Sequence, residues 1–343
     1  MSFNVTLVPS GRSFQVARDE PVLQAAIREG IGLPYGCKDG ACGSCKSRLL
    51  EGRVIHGAHQ SKALSEAEEA AGLVLPCCAT AQTDLVIEAR AVVGAGDFPP
   101  RKMPCRVTSI ARPAPDVAIV QLQLPANEVL RYRAGQYVEF ILRDGSRRSY
   151  SIANPPHGQA AAPGIELHIR HMPGGKFTDH VFGAMQVKEI LRLEGPFGSF
   201  FVREGSELPM VLLASGTGFA PIKAIVAQLE HDGSSRPARL YWGCRTRGDL
   251  YESAWAEAAA ARLPWLRFVP VLSEPRPEDD WGGRVGLVHQ AVMADLPDLA
   301  GHQVYACGTP AMVEAARRDF VERCALPADA FFADAFTSEA DKH

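Results

Sequence analysis

Three closely spaced cysteines are the residues of this sequence best suited to chemistry. Cys37, Cys42 and Cys45 lie in the segment PYGCKDGACGSC and are separated by four residues and then by two. Thiolates are soft, anionic ligands of the kind that iron binds. Glycines between them remove Cβ atoms where a loop must fold tightly, and they can turn backbone N–H groups towards the sulfurs. The pattern predicts an iron–sulfur cluster that takes a fourth cysteine from further along the chain.

The fourth ligand is one of two adjacent cysteines, Cys77 and Cys78, of which only one can point at the iron. Either completes the plant-type [2Fe–2S] spacing, whereas a zinc site would normally use two CxxC or CxH pairs. The segment resembles plant-type ferredoxins, whose last ligand is followed by Ala two residues later and by Asp seven residues later. Ala79 and Asp84 stand at those offsets from Cys77. The resemblance therefore implies Cys77 as the ligand and Cys78 as a small buried residue.

A second group of residues suggests a flavin. The string RRSYSIAN contains Arg148, Tyr150 and Ser151, and it resembles the RxYS signature of the ferredoxin–NADP reductase superfamily. The resemblance continues through residues 100–343. It implies that Arg148 pairs with a flavin pyrophosphate, that Tyr150 lies against the isoalloxazine, and that Ser151 acts catalytically near flavin N5. Without the resemblance, the string is a strand turn with a surface tyrosine.

A glycine pair before a predicted helix, in PGGKFTDHVF, suits a phosphate group because a helix N-terminus attracts anions. A plain Gly-Gly turn before a helix is the alternative, but the position after RRSYS favours a flavin site. The domain order of the family implies FAD rather than FMN. By resemblance, the residues beside the flavin or its phosphates are Ile169, Arg170, Gly174, Gly175, Lys176 and Thr178.

Two further turns suggest a nicotinamide site. The segment SGTGFAP resembles the GTGxAP turn of the same superfamily, in which Gly216, Thr217 and Gly218 let the backbone approach a pyrophosphate. YACGTP resembles the family's CGxP element, which implies that Cys307 acts catalytically beside the nicotinamide and that Gly308 contacts the cofactor. Without the resemblance, the first segment is any glycine-rich strand-to-helix turn and Cys307 is a core residue.

The loop YWGCRTRGDLY resembles the part of the family that faces the adenosine half of the dinucleotide. The resemblance places Arg245 there, and the charge of Asp249 counts against a 2′-phosphate, so NADH is expected rather than NADPH. The segment FFADAFT places Phe336 where many family members have an aromatic residue against the flavin or just beyond it. FADAFT is also similar to the ending of bacterial CDP-6-deoxy-hexulose dehydrase reductases.

Three domains must position these residues, so the fold class is multidomain, α+β and α/β. Residues 1–92 are expected to form a plant-type [2Fe–2S] ferredoxin domain of the β-grasp type. A Gly- and Pro-rich linker at 93–103 follows. Short strand-like runs over 104–206 predict an antiparallel FAD-binding β-barrel. Apolar runs that alternate with helical segments over 207–343 predict a parallel α/β NAD-binding domain.

Local signals predict particular elements. Alternating apolar residues indicate a hairpin that turns at residues 9–11, and a helix is bounded by Pro21 and Gly30. Ser65 and Glu68 form the pattern of a capping box. Strands of the barrel are predicted near 117–124, 137–142, 165–170 and 189–194.

The order of ferredoxin, flavin and nicotinamide domains implies a function. A nicotinamide gives two electrons as a hydride, a flavin accepts two and releases them singly, and a cluster carries one. The resemblance implies an NADH-dependent oxidoreductase that passes electrons from NADH to FAD to [2Fe–2S] and then to a partner protein, such as a terminal oxygenase or a CDP-hexulose dehydrase. Two alternatives stay open: a [2Fe–2S] redox sensor or electron carrier that does not itself oxidise NADH, and a zinc-stabilised interaction protein.

Composition argues against several other classes. The net charge is −3, with 36 basic and 39 acidic residues, which gives no electrostatic footprint for nucleic acid or an anionic membrane. No apolar run reaches the roughly 18 residues of a membrane helix. No signal peptide is evident, so a cytoplasmic protein is expected. With all three redox modules on one chain, a monomer is the simplest expectation.

We predict that NADH is the preferred reductant. Negative charge at the ribose end should repel a 2′-phosphate, so kcat/KM for ferricyanide reduction should be higher with NADH than with NADPH. Steady-state assays with both nucleotides measure this ratio. A higher kcat/KM with NADPH would show that the preference is wrong.

Overall fold

The computed structural model describes residues 2–90, 92–160 and 163–337. These residues form two compact units. The first comprises the described residues up to Pro100 with Pro196–Phe200 and Thr337, and the second comprises Arg101–Gly195 and Phe201–Phe336. Among the described residues, none of the helices combines the length and the apolar character that crossing a bilayer requires.

The first unit contains short strands and two helices. Their bounds are β1 Ser2–Val8, β2 Ser13–Ala17, α1 Val22–Arg28, β3 Ser47–Glu51, β4 Val54–Ile55, α2 Glu66–Ala70, β5 Leu73–Val74, β6 Thr80–Ala81 and β7 Leu85–Glu88. Five strands form one sheet in the order β2-β1-β7-β3-β5, and β4 pairs with β6. Strand β1 is antiparallel to β2 and parallel to β7. This mixed sheet agrees with the expected ferredoxin fold.

The local elements of this unit form where the sequence predicts them. Successive side chains of a strand point to opposite faces, so alternate apolar residues of the β1–β2 hairpin enter the core. Helix α1 begins directly after Pro21, and Gly30 follows its end with a φ of 68°. Ser65 and Glu68 form the predicted capping box at the start of α2. The buried hairpin residues are Val5, Leu7, Phe14 and Val16.

The second unit begins with a six-stranded antiparallel sheet. Its elements are β8 Arg101–Ala114, β9 Val117–Gln123, β10 Tyr137–Ile141, β11 Arg147–Ser151, β12 Gly164–Arg170, α3 Lys176–Gly183 and β13 Ile190–Phe197. The order is β11-β10-β13-β8-β9-β12, and the described registers are antiparallel. A bridge between Ile152 and Leu167 joins the two ends of this order, so the sheet closes into a barrel.

Two barrel strands were not among the predicted ones. Strand β8 begins at Arg101, inside the range expected to be linker, and its inward side chains Met103, Cys105 and Val107 alternate with exposed ones. Pro104 within this alternation obscured the strand signal. Strand β11 carries the RRSYS string, whose residues are mostly polar, so the string lacks the alternation of apolar and polar residues that predicts a strand.

The rest of the second unit is a parallel sheet with helices between its strands. The elements are β14 Met210–Ser215, α4 Phe219–His231, β15 Ala238–Cys244, α5 Ser253–Arg262, β16 Leu266–Leu272, β17 Arg284–Val285, α6 Val288–Asp295, β18 Gln303–Gly308, α7 Pro310–Arg323 and β19 Phe331–Ala335. Their order is β17-β16-β15-β14-β18-β19, with parallel pairing throughout. The predicted parallel α/β sheet is confirmed, and its carboxyl edge gathers the turns after β14 and β18.

Candidate functional site

The cysteine loop of the first unit aims backbone N–H groups at its sulfurs. The amide of Cys37 lies 3.4 Å from the Sγ of Cys42, and the amide of Cys42 lies 3.3 Å from the Sγ of Cys37. The amide of Ser44 lies 3.5 Å from the Sγ of Cys42. Gly40 and Gly43 take positive φ angles of 76° and 70°, which residues with a Cβ rarely adopt. The loop is therefore shaped around its thiols, as a cluster site requires.

The four predicted ligands form two pairs. The hydrogen bond between Cys37 and Cys42 raises the pKa of Cys37 and lowers that of Cys42 to about 6. A side-chain hydrogen bond with Cys45 is the largest cause that raises the pKa of Cys77. Cys45 and Cys77 are buried, whereas Cys37 and Cys42 are half-buried. Two pairs of thiols fit a [2Fe–2S] cluster, in which each iron takes two cysteines.

The position of Cys78 favours Cys77 as the fourth ligand. The Sγ of Cys78 lies 3.5 Å from the Sγ of Cys77, but it faces the backbone of Gly40, where a Cβ would come within 2.7 Å of it. Cys78 is half-buried, not buried as expected. No three of the described His, Cys, Asp and Glu side chains are grouped for a single metal ion.

A distant segment of the first unit holds the start of the loop. Backbone N–H of Tyr35 donates to the Ser199 hydroxyl at 2.8 Å, and that hydroxyl donates to the Tyr35 carbonyl at 2.9 Å. The Nζ of Lys38 lies 3.5 Å from the centre of the Phe197 ring. These contacts could not be predicted from the sequence, because the partners are more than 150 residues apart and carry no motif.

The flavin residues on β11 divide between its two faces. Arg148 and Tyr150 are two residues apart and share one face. The Tyr150 ring lies 5.3 Å from that of Phe177 and 6.0 Å from that of Phe140, and burial raises the pKa of its phenol. The phenol is therefore neutral at physiological pH. Phe140 and Phe177 belong to the barrel core, so Tyr150 packs on this core, and its contact with an isoalloxazine stays a prediction.

Backbone amides at the start of α3 are suited to bind a phosphate. The first hydrogen bond within the helix runs from the Asp179 amide to the Gly175 carbonyl at 2.8 Å, so the amides of residues 176–178 have no carbonyl partner inside the helix. The Thr178 hydroxyl, predicted to hold phosphate, instead donates to the Met172 carbonyl at 2.8 Å. Lys176 forms an ion pair with Asp144 at 2.5 Å. Gly174, with a φ of 83°, makes the sharp turn.

The two predicted nicotinamide turns lie against each other. Gly218 passes so close to the Cys307 carbonyl that a Cβ would overlap it, and a Cβ at Gly308 would overlap the Ser215 hydroxyl. That hydroxyl accepts a hydrogen bond from the Thr309 amide at 3.0 Å. The turn that contains Thr217 is a short 3₁₀ segment that leads directly into α4.

Arg170 reaches from the flavin strand to the nicotinamide turn. A Cβ at Gly216 would lie 2.9 Å from its Nη1, and its Nε lies 3.2 Å from the Asp116 carboxylate. Ile169, its neighbour on β12, is fully buried in the barrel core. On the other side of the turn, the indole N–H of Trp242 donates to the Gly216 carbonyl at 2.9 Å. Arg170 thus lies between the flavin strand and the nicotinamide turn, and its contact with the flavin stays a prediction.

Asp334, which the sequence did not single out, links the two predicted catalytic residues. The Ser151 hydroxyl lies 3.4 Å from the Asp334 carboxylate, and Asp334 pairs with Cys307 across β18 and β19. Burial, with the Asp334 charge, raises the pKa of Cys307 well above its ordinary value, so the thiol is neutral. The three side chains are almost fully buried. The amide of Phe336 donates to the Gly308 carbonyl at 2.7 Å, which fixes the segment after β19.

In the loop that is predicted to face the adenosine, Asp249 has a structural role. Its carboxylate accepts from the amide and the hydroxyl of Thr246 at 2.9 and 3.1 Å, so it caps the turn. Arg247 donates to the Asp279 carbonyl at 3.0 Å. Arg245 is exposed. The preference for NADH therefore stays a prediction that the fold of this loop does not test.

Comparisons with known proteins cover nearly all of the chain. Three family models match: the 2Fe-2S iron-sulfur cluster binding domain at residues 5–82, the oxidoreductase FAD-binding domain at 104–202 and the oxidoreductase NAD-binding domain at 212–318. The CDP-6-deoxy-L-threo-D-glycero-4-hexulose-3-dehydrase reductase of Yersinia pseudotuberculosis is 41% identical over 98% of this chain and 99% of its own length.

Other relatives serve oxygenases. The reductase component of phenol 2-monooxygenase from a Pseudomonas strain is 33% identical over 98% of this chain and 96% of its own length. The crystal structure of an Amycolatopsis cytochrome P450 reductase matches with a TM-score of 0.80 and 35% identity, over 98% of this chain and 99% of that one.

The two adjacent cysteines allow a matched pair of variants. We predict that Cys77→Ser abolishes the visible absorption of the cluster, because it removes one of four thiolates. Cys78→Ser should largely retain that absorption, since the Cys78 sulfur faces Gly40. Visible spectra and iron content of the purified variants measure both. Loss of the cluster in Cys78→Ser with retention in Cys77→Ser would reverse the assignment.

Proposed function

Because this chain belongs to the family of ferredoxin–flavin–NAD(P)H reductases, we propose that it delivers single electrons to a dehydrase that acts on a CDP-linked hexulose. The chain is an NAD(P)H-dependent oxidoreductase with a [2Fe–2S] cluster, FAD and NAD as cofactors. Electrons pass from NADH to FAD, to the cluster and then to a partner protein. A redox sensor or carrier that does not oxidise NADH would not need the NAD-binding domain at 212–318.

The cofactors supply the redox chemistry: when bound, FAD takes up a hydride's two electrons and releases them singly, and the cluster carries one electron at a time. The chain's residues bind and orient. Arg148 and the amides at the start of α3 are suited to hold the flavin phosphates, and Tyr150 to pack against the ring system. The turn at Gly216 and Gly218 is suited to the dinucleotide pyrophosphate.

The observation that carries the hydride-transfer proposal is the meeting of Ser151, Asp334 and Cys307 beside the nicotinamide turn. The Asp334 carboxylate accepts the Ser151 proton in a hydrogen bond, which leaves the hydroxyl oxygen lone pairs free to accept a further donor. Cys307 is neutral and fully buried. This gives a polar contact among almost fully buried side chains, and exclusion of water protects a hydride transfer from side reactions.

The proposed acceptor follows from the relatives. A dehydrase reductase is 41% identical to this chain, whereas the phenol 2-monooxygenase reductase is 33% identical. An oxygenase component is the second candidate, favoured by the Amycolatopsis P450 reductase with its TM-score of 0.80. The monomeric state and the cytoplasmic location expected from the sequence stay predictions.

Two acceptor proteins test this choice. With excess NADH, addition of the Yersinia CDP-6-deoxy-L-threo-D-glycero-4-hexulose-3-dehydrase and its CDP-sugar should accelerate NADH oxidation by this chain. The oxygenase component of phenol 2-monooxygenase with phenol is the matched comparison. NADH consumption at a fixed chain concentration is the readout. Acceleration by the oxygenase component alone would replace the first candidate with the second.

Ser151→Ala should slow flavin reduction by about 100-fold, because it removes the hydroxyl that contacts the reacting region. Asp334→Asn, which keeps an acceptor for Ser151 but removes the charge, should have a smaller effect. Anaerobic stopped-flow mixing with NADH measures the limiting rate of flavin bleaching. An unchanged rate in Ser151→Ala would remove Ser151 from the catalytic assignment.

A further inference from the structure

A group of polar side chains, one buried and four partly buried, joins the flavin strand β12 to the nicotinamide part of the same unit. It consists of Glu166 and His168 on β12, Lys223 on α4, and Tyr251 and Glu252 before α5, and is called here the β12–α4 network. None of the five residues was assigned a role.

Hydrogen bonds run through the whole network. Oε1 of Glu166 accepts from the Nζ of Lys223 at 2.8 Å and faces the Nε2 of His168 at 2.9 Å. The same Nζ donates to Glu252 at 2.7 Å, and the Nδ1 of His168 lies 2.8 Å from the Tyr251 hydroxyl. The side chain of His168 is fully buried.

The protonation states of these side chains determine which atom donates and which accepts in each hydrogen bond. Burial would raise the pKa of Glu166, but the bonds from His168 and Lys223 outweigh it and lower the pKa to about 2. Burial lowers the pKa of His168 and raises that of Tyr251, so both are neutral at pH 7. Tyr251 O–H therefore donates to Nδ1, and Nε2–H donates to the Glu166 carboxylate. Because each donor has one acceptor, the side chains are fixed in orientation.

The network lies beside two side chains, Trp242 and Arg170, that flank the nicotinamide turn. The Tyr251 ring packs edge-on against Trp242, with centroids 5.3 Å apart, and Trp242 holds the Gly216 carbonyl. On β12, side chains two residues apart share a face, so Glu166 and His168 lie on the face of Arg170, and a Cβ at Gly216 would come within 2.9 Å of the Nη1 of Arg170. The turn is thus flanked by Trp242, against which Tyr251 packs, and by Arg170, which shares a strand face with Glu166 and His168.

We propose that the β12–α4 network sets the position of the Gly216–Gly218 turn relative to the flavin strand, and so sets the alignment for hydride transfer. Glu166, His168, Lys223 and Tyr251 are positioning residues in this account, which rests on the proposed flavin and nicotinamide sites. A displacement of about 1 Å in such an alignment costs on the order of 100-fold in rate. A buried ion pair by itself adds little net stability.

The test uses the full-length holoenzyme with Tyr251→Phe and, as a second variant, Glu166→Gln. The limiting rate of flavin reduction by NADH should fall by about tenfold or more, because the turn loses its alignment. The Kd for NADH should change by less than about threefold, since no group that contacts the nucleotide is removed. Anaerobic stopped-flow measurements over a range of NADH concentrations separate the rate from the Kd.

Tyr241→Phe is the matched control. Tyr241 is buried, and its hydroxyl donates to a carboxylate, that of Asp295, at 2.9 Å, which is not part of the network. It should lower Tm without slowing flavin reduction. If Tyr251→Phe and Glu166→Gln lower only Tm and keep the wild-type rate, the positioning role is wrong while the proposed function stands. If NADH fails to reduce the flavin of the wild-type holoenzyme, the proposed function itself fails.

Discussion

The close approach of two glycine turns at one edge of the parallel sheet is the constraint on which the nicotinamide site depends. Strands β14 and β18 are neighbours and parallel, so the turns that follow them leave the sheet at the same edge. Gly218 lies directly against the Cys307 carbonyl, and Gly308 against the Ser215 hydroxyl, with no room for a Cβ at either. Larger residues would separate the turns and move Cys307 away from the pyrophosphate turn.

Apart from the Asp334 carboxylate, the titratable side chains described near this edge are neutral or paired. Cys307 is neutral because it is buried, and the phenol of Tyr251 and the imidazole of His168 are neutral for the same reason. The charged groups, Arg170 with Asp116 and Lys223 between Glu166 and Glu252, are paired. A hydride carries its electrons as a pair and needs no charged nucleophile, so a buried site with few unpaired charges suits its transfer.

Motifs with fixed spacing could be predicted from the sequence, and contacts between distant segments could not. The cysteine loop, the GTGFAP turn and CGTP each report a local backbone shape that particular residue types require, so the fold class, the cofactors and the family were correctly predicted. Asp334 gave no such signal, because its meeting with Ser151 joins residues 183 positions apart. The hydrogen bonds of Thr178 and Asp249 to neighbouring groups could not be predicted either, and the predicted contact of Thr178 with a flavin phosphate stays a prediction.

Anaerobic addition of NADH to the purified protein, followed by visible spectroscopy, tests the central claim most directly. The account predicts flavin and [2Fe–2S] bands in the resting protein, and bleaching of both as electrons pass from NADH through the flavin to the cluster. Bleaching of the flavin with an unchanged cluster would contradict the proposed electron path. A protein with cluster bands alone that does not respond to NADH would contradict the reductase function altogether.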